Sequence, residues 1–534
     1  MSENVLRNPA MESDVIVGVI DTGIWPESES FSDEGFGPAP LKWKGACKGG
    51  TNFTCNNKLI GARYYLSYDE PSERSARDTR SHGTHTASTV AGNNVKNASF
   101  YGLLQGTARG GVPSARIAAY KVCHPLGCLE NDILAAFDDA IADGVDIITI
   151  SVGGNAAGEL FSDSIALGSF HAMERGILTV NSAGNNGFQA GSVSSVAPCM
   201  LTVAASTIDR RVVDKVVLGN EETFLGNAVN PFMLNGEKYP LAYGKDVTSS
   251  CDESNAGLCI EECLDKDLVK GKIVLCHNNH GMVTANKAGA PGSIVPFGEA
   301  YDTSFVVCFV AYSSSKFPRH AFDPFLHQLH KVTEIPSATS RTLLLFRVDI
   351  LAAFSPAASR SEEGLDTRPV KYSVLSGTSM SCPHAAGPAA YVKSLHPDWS
   401  ASAIKSALMT TAWRMNATKN PEAEFAYGAG HIDPVKAANP GLIYDALKDD
   451  YLHMLSNLMA TISKPSQLSI SVEPSILLFK SLNEKKSFVV TVSGQGFGSL
   501  ASASLVWSDG NHSVRRAKSH CSVHRFSFRC LISS

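Results

Sequence analysis

Three stretches, residues 15–20 (VIVGVI), 145–152 (VDIITISV) and 177–180 (ILTV), constrain the fold of this chain more than any other feature. Each is a continuous apolar run of the length that suits a strand covered on both faces. Each also ends in a turn of small residues: Asp21-Thr22-Gly23, Gly153-Gly154, and Ser182-Ala183-Gly184-Asn185-Asn186-Gly187. Helical spacing lies between them. Over residues 132–143, Ile133, Leu134, Phe137 and Ile141 share one face and Gly144 ends the run. Asp163 can cap a helix carrying Ile165, Leu167, Phe170 and Met173, which Gly176 ends. Successive helix–strand units predict a doubly wound α/β fold around a parallel sheet, with its site at the strands' C-terminal edge.

The pattern changes twice along the 534 residues. Between about 209 and 340 it turns to short strand-like runs such as 272–276, with glycines and clustered cysteines, and reads as an inserted domain. Helix returns after 378, with Ser400 a good cap for residues 401–412. From about 465, alternation at 468–472, 487–492 and 503–507 predicts a small all-β domain, and the closing RRAKSHCSVHRFSFRCLISS reads as an irregular tail. The borders fall at 1–208, 209–340, 341–450 and 451–534. At 44% hydrophobic and 18% charged residues the composition is globular, which excludes a disordered chain. A net charge of −5 gives no electrostatic case for nucleic acid or an anionic membrane as partner. The best apolar stretch, residues 343–354, is interrupted by Arg347 and Asp349 and cannot span a bilayer.

The opening MSENVLRNPAMESD has no apolar signal core, which alone would place the chain in the cytosol. The cysteines argue otherwise. Several of the 13 form short-range sets, Cys47/Cys55, Cys123/Cys128, Cys251/Cys259/Cys263 and Cys521/Cys530, and no pair has CxxC spacing. Asn52, Asn97, Asn416 and Asn511 each head an Asn-x-Ser/Thr acceptor. Together these predict an exported protein whose leader precedes Met1.

Three motifs carry chemistry. Asp21-Thr22-Gly23 follows a buried strand; it is an ordinary strand exit, or one carboxylate of an aspartic dyad, but no second Asp-Thr/Ser-Gly completes a dyad. His82-Gly83-Thr84-His85 could ligate a metal with Asp78, could be structural, or could present a general base beside a glycine that lets substrate backbone approach. Gly377-Thr378-Ser379-Met380-Ser381-Cys382-Pro383-His384 is the most specific. Ser379 opens a helical stretch, where unpaired N–H groups favour a developing oxyanion, although a serine there is also a common cap. The pattern is not the Gly-x-Ser-x-Gly elbow of an α/β-hydrolase.

Asp, His and Ser in this chain order match the subtilisin arrangement. GIWPESESFSDEGFGPAP, WKGACKGGTNFTCNNKLIGARYY and SGTSMSCPHAAG extend the match, and the chain resembles the plant subtilases of the cucumisin type over roughly residues 10–340 and 349–510. The resemblance implies a secreted serine endopeptidase, located in the apoplast or cell wall, that needs no cofactor or metal. It implies Ser379 as nucleophile, His82 as general base, Asp21 as its orienting carboxylate, and Asn185 with the Ser379 N–H as the oxyanion hole. It also implies Ser151, Val152, Gly153 and Gly154 as the edge that pairs with a peptide or protein substrate, with glycines admitting a large primary side chain. The insert resembles a protease-associated domain and the C-terminal part a fibronectin-III-like β-sandwich. A signal peptide and a pro-segment acting as intramolecular inhibitor are expected in the full-length form.

Departures from the family pattern set up a second expectation. Between Ser340 and Asp349 the family's Ser-Ser-Arg-Gly-Pro and Pro-Asp-Ile-x-Ala-Pro-Gly stretches are absent, so core strands beside the nucleophile helix are expected to be missing. Pro388 stands inside that helix, where an interior proline costs ~3 kcal/mol. Ser81 replaces the usual glycine before His82. On these grounds the alternative is a catalytically impaired relative, a binding module or misfolded fragment with little peptidase activity.

Overall fold

The computed structural model describes residues 7–533 apart from 69, 187–190, 207–211, 218–220, 222, 228–238, 279, 297–307, 313–341, 347–348, 360–367, 416–426, 453–464, 476, 478–484, 497–500, 509–512 and 521–524. Its centre is an eight-stranded sheet of β1 (Ile16–Asp21), β2 (Leu59–Tyr64), β3 (Arg116–Lys121), β4 (Ile147–Ile150), β5 (Leu178–Ser182), β6 (Leu201–Ser206), β7 (Thr342–Phe346) and β8 (Gly430–His431). The spatial order is β2-β3-β1-β4-β5-β6-β7-β8, and every pairing is parallel. β1 is buried along its whole length, as an apolar run between two covered faces must be. The winding direction reverses at β1, where a crevice opens beyond the strand ends.

Helices α1 (His82–Ala91), α2 (Glu130–Asp143), α3 (Ser164–Glu174), α4 (Thr378–Leu395) and α5 (Ala401–Thr410) surround this sheet. The predicted caps are present. Asp163 accepts from the amides of Ile165 (2.8 Å) and Ala166 (3.0 Å), and Ser400 Oγ from that of Ala403 (3.0 Å). Gly144, at φ +85°, ends α2 in a conformation that suits glycine. α4 lies on β4, β5, β6 and β7 with Ala385, Ala386, Ala389 and Ala390 fully buried. On another side it meets the Gly111 loop backbone to backbone: a Cβ on Gly387 would come within 2.9 Å of Gly111 Cα.

Three expectations are corrected here. The sheet has no gap before Asp349. Thr342–Phe346 enters as β7, in register with β6 from Thr202↔Thr342 to Ser206↔Phe346 and with β8 at Leu343↔Gly430 and Leu344↔His431. The sequence TLLLF is an apolar run of the kind central parallel strands use, so a different sequence takes that slot. The argument for an impaired chain from missing strands therefore fails. Pro388 does not break α4 either: the helix runs on to Leu395, packed against its neighbours along most of its length. The closing residues are also not an irregular tail. Ser513–His520 pairs with Ala501–Ser508, and Arg525–Ser533 lies between Ile443–Tyr444 and Lys485–Gly496 in a sheet completed by Pro465–Glu473.

The insert builds its own sheet, ordered Val213–Val217, Thr223–Asn227, Cys308–Tyr312, Gly292–Pro296, Ile273–Leu275 and Leu241–Tyr243. A separate core that includes Val247, Leu264, Val269, Val274 and Val295 underlies it. Disulfides Cys251–Cys263 and Cys259–Cys276 tie this unit, while Cys47–Cys55 and Cys123–Cys128 close short loops of the larger one. Among the described residues no helix is long and apolar enough to cross a membrane.

Because Pro388 removes one N–H from a helix that forms regardless, Pro388→Ala should raise stability by up to about 3 kcal/mol. Thermal unfolding of the two chains measures this, and an unchanged or lower midpoint would show that the proline is compensated.

Candidate active site

Asp21 is the last residue of β1 and is 2% exposed. Its carboxylate is held on three sides. Oδ1 accepts from the Thr22 amide (2.7 Å) and faces His82 Nδ1 (2.7 Å), while Oδ2 accepts from Thr86 Oγ1 (3.1 Å). His82 opens α1, so the helix start delivers the ring to the strand end; the other side of its side chain stays open, at 31% exposure. Gly83 allows this approach, since a Cβ there would lie 2.2 Å from Gly23 O. Burial works against a charged imidazole. The Asp21 carboxylate, by charge and hydrogen bond, and Asp78 behind it outweigh that, and the His82 pKa lies above its ordinary 6.5.

Ser379 reaches the same edge from α4. Ile20 and Ile150 are register partners, so Asp21 and Ser151 are the next residues along neighbouring strands. Ser151 and Ser379 exchange bonds: Ser151 Oγ donates to Ser379 O (2.9 Å) and Ser379 Oγ to Ser151 O (3.4 Å). Asn185 leans in from the turn after β5. Its Oδ1 accepts from the Thr378 amide (3.0 Å) and hydroxyl (2.9 Å), which fixes the amide orientation and leaves Nδ2 as the outward donor. A Cβ on Gly377 would sit 3.5 Å from Asn185 Nδ2, 3.8 Å from Asn185 Oδ1 and 3.8 Å from Ser379 N, so the asparagine amide and the Ser379 N–H both lie close to Gly377. Residues 151–154 follow β4, with Gly153 and Gly154 exposed and no ladder partner among the described residues.

The metal reading of His82, His85 and Asp78 is not met. His85 Nε2 lies 2.9 Å from Ile350 O and 3.2 Å from Ser373 O, so it carries a proton and donates to these carbonyls. Burial pushes the His85 pKa down to about 3 and the ring stays neutral. Asp78 has both oxygens filled by N–H and O–H donors, and among the described residues no three ligating side chains converge.

Several residues at the site escaped the sequence reading. Thr22, Thr86 and Thr378 orient Asp21 and Asn185 through bonds that no local pattern announces. Cys382, one turn after Ser379, is a buried thiol against Val180 O (3.2 Å), and burial pushes its pKa up to about 11, which keeps it unreactive. Ser81 sits at φ +71°, a left-handed conformation that explains why glycine suits this position in the pattern the chain resembles.

An Asp–His pair at one edge of a parallel sheet, with a serine-bearing helix starting at the same edge, is an arrangement that can serve a serine hydrolase. The sequence model of the subtilase family matches residues 12–430 and that of the fibronectin type-III domain residues 454–517. The chain belongs to the subtilase family of serine endopeptidases, with a C-terminal fibronectin type-III domain. It is 51% identical to Subtilisin-like protease SBT4.3 of Arabidopsis thaliana over 96% of its own length and 82% of that protein's. Subtilisin-like proteases SBT4.6 and SBT4.13 of the same plant are 48% and 46% identical, over 95% of this chain and 82% and 81% of theirs. The first match extends over 604 residues against a chain of 534, so that relative carries stretches with no counterpart here.

A general base with a raised pKa is neutral only above that value. The acid limb of kcat/KM should therefore have its midpoint above 6.5. Asp21→Asn should move the limb to lower pH and reduce kcat by about 10⁴. For stability the sign is opposite. The His82–Asp21 pair contributes fully below 6.5, and its contribution is lost as pH rises through the raised folded pKa. A limb midpoint at or below the ordinary histidine value would contradict this electrostatic account.

Proposed function

We propose that this chain cleaves peptide bonds through Asp21, His82 and Ser379. Ser379 Oγ attacks the scissile carbonyl carbon as its proton passes to His82. Asp21 holds the imidazole tautomer through Nδ1 and stabilises the ring once it is charged. The oxyanion of the tetrahedral intermediate accepts from Asn185 Nδ2 and the Ser379 N–H, and collapse expels the amine with the proton returned by His82. Water repeats the sequence on the acyl-enzyme. Substrate backbone adds as a strand along Ser151, Val152, Gly153 and Gly154, whose peptide groups lack ladder partners. The observation that carries this reading is the 2.7 Å contact of His82 Nδ1 with Asp21, on the strand edge where Ser151 fastens Ser379.

The finer readings rest on separate support. The insert is a protease-associated-type domain, a reading supported by its independent sheet and core. The protein is secreted and glycosylated. Four disulfides and the exposed Asn52 and Asn97 support this, while Asn416 and Asn511 lie outside the described residues. A pro-segment acts as an intramolecular inhibitor of this protease.

A fluorophosphonate reacts with an activated serine, so it should label this chain at Ser379, and Ser379→Ala should abolish both labelling and peptide hydrolysis. Asn185→Asp keeps the acceptor for Thr378 but removes the amide donor, and should lower kcat by roughly 10²–10³. Labelling that persists in Ser379→Ala, or an Asn185→Asp chain with full kcat, would dismantle the assignment.

A further inference from the structure

Asp78 takes no part in the chemistry above, yet it is a fully buried carboxylate four residues before His82. An ionised carboxylate accepts only, and here every neighbour donates. Oδ1 accepts from Thr22 Oγ1 (2.9 Å), the Arg80 amide (3.0 Å) and the Ser81 amide (2.7 Å), and Oδ2 from the Thr84 amide (2.8 Å) and hydroxyl (2.6 Å). The Asp78 carbonyl accepts from Ser355 Oγ (2.6 Å). These partners sit on the β1 exit, on the turn that enters α1, in the first turn of α1, and on the segment after the Ile350–Ala353 strand. Each leads back to the pair of interest. Thr22 donates its amide to Asp21 (2.7 Å) and accepts through its hydroxyl from the Gly83 amide (2.7 Å). Ser81, strained at φ +71°, is clasped to Ser355 twice: its Oγ donates to Ser355 O (3.1 Å) and accepts from Ser355 N (2.9 Å). Residues 81, 83 and 84 are thus all fastened to one network, and His82 lies among them.

We propose that Asp78 is a positioning residue for the general base, a buried carboxylate that locks the β1 exit, the start of α1 and the Ser355 segment into one body and so holds the His82 ring on Asp21. This rests on the reading of His82 as general base. A carboxylate that served stability alone would need no bonds to the residue just before the histidine, to the helix turn that follows it and to the residue that orients Asp21. Its charge also acts on the ring. The titratable groups around His82 are Asp21 of β1, Asp78, His85 of the next turn, and His384 of α4 beyond it; burial lowers the pKa of both outer histidines.

Asp78→Asn in the full chain tests this, because an amide of the same shape must turn its NH₂ toward N–H or O–H donors. We expect kcat to fall by at least about 10²-fold with KM within about twofold, the acid limb of kcat/KM to move to lower pH, and fluorophosphonate labelling of Ser379 to slow in parallel. Thr22→Val, isosteric but without the hydroxyl, should reproduce the direction of all three changes, and it carries the test if Asp78→Asn does not fold. The double variant should be little worse than Asp78→Asn, since the two act through one network, and Thr22→Ser should restore most of the rate. Lys58→Met is the control. Lys58 is buried at the opposite edge of the sheet against Pro113 O and Ala115 O, and its loss should lower the melting temperature while leaving kcat and the pH limb alone. Asp78→Asn or Thr22→Val chains that melt earlier but keep the parent kcat and acid limb would overturn the proposal. His82→Ala separates the premises. If that variant keeps its activity, the reading of His82 fails, whatever Asp78 does.

Discussion

A sheet with every strand parallel sends all its strand ends to one edge, and that constraint governs the rest of this molecule. Several of the connections cross over the faces as helices, and those helices start close to where a strand has stopped. Asp21 ends β1, Ser151 follows β4 on the neighbouring strand, and Asn185 follows β5. Helices α1 and α4 begin at the same edge with His82 and Ser379 in their first turns. These five residues, far apart in sequence, come to one edge because the topology leaves them few other places to be.

The electrostatics follow from this placement. A carboxylate that is 2% exposed pays a large desolvation penalty, which two donors and an imidazole offset. The imidazole in turn finds its charged form favoured on the Asp21 side while its other side faces solvent. In the proposed reaction one group orients and the other exchanges protons, and the difference between them is a difference in burial. Asn185 shows a similar division within a single side chain: its oxygen is tied twice to Thr378, and among the described residues its nitrogen has no such tie.

What could be read from the sequence was what neighbouring residues determine. The caps at Asp163 and Ser400 are bonds across two or three residues, and the apolar runs of β1, β4 and β5 declare their own burial. β7 was not legible, because a central strand's slot is defined by the strands on either side, and Thr342–Phe346 meets it with a sequence unlike the family pattern. Arg525–Ser533 was missed for a related reason, since its partners lie at Ile443–Tyr444 and Lys485–Gly496, far back along the chain. Asp78 was noticed for the wrong chemistry. Its carboxylate type suggested a ligand, while its true surroundings, donors drawn from several segments, exist only after folding.

The contact between Gly387 and Gly111 bears on all of this. Two turns below Ser379, the backbone of α4 rests directly on the backbone of a loop, with no side chain in between. Side-chain contacts are compliant, because rotamers can shift to absorb a change. Two main chains in van der Waals contact have no such slack. The helix therefore has a mechanical stop on that side, set by the thickness of a peptide unit rather than by the choice of any side chain. Residues elsewhere on α4 can change size and polarity while this stop stays where it is.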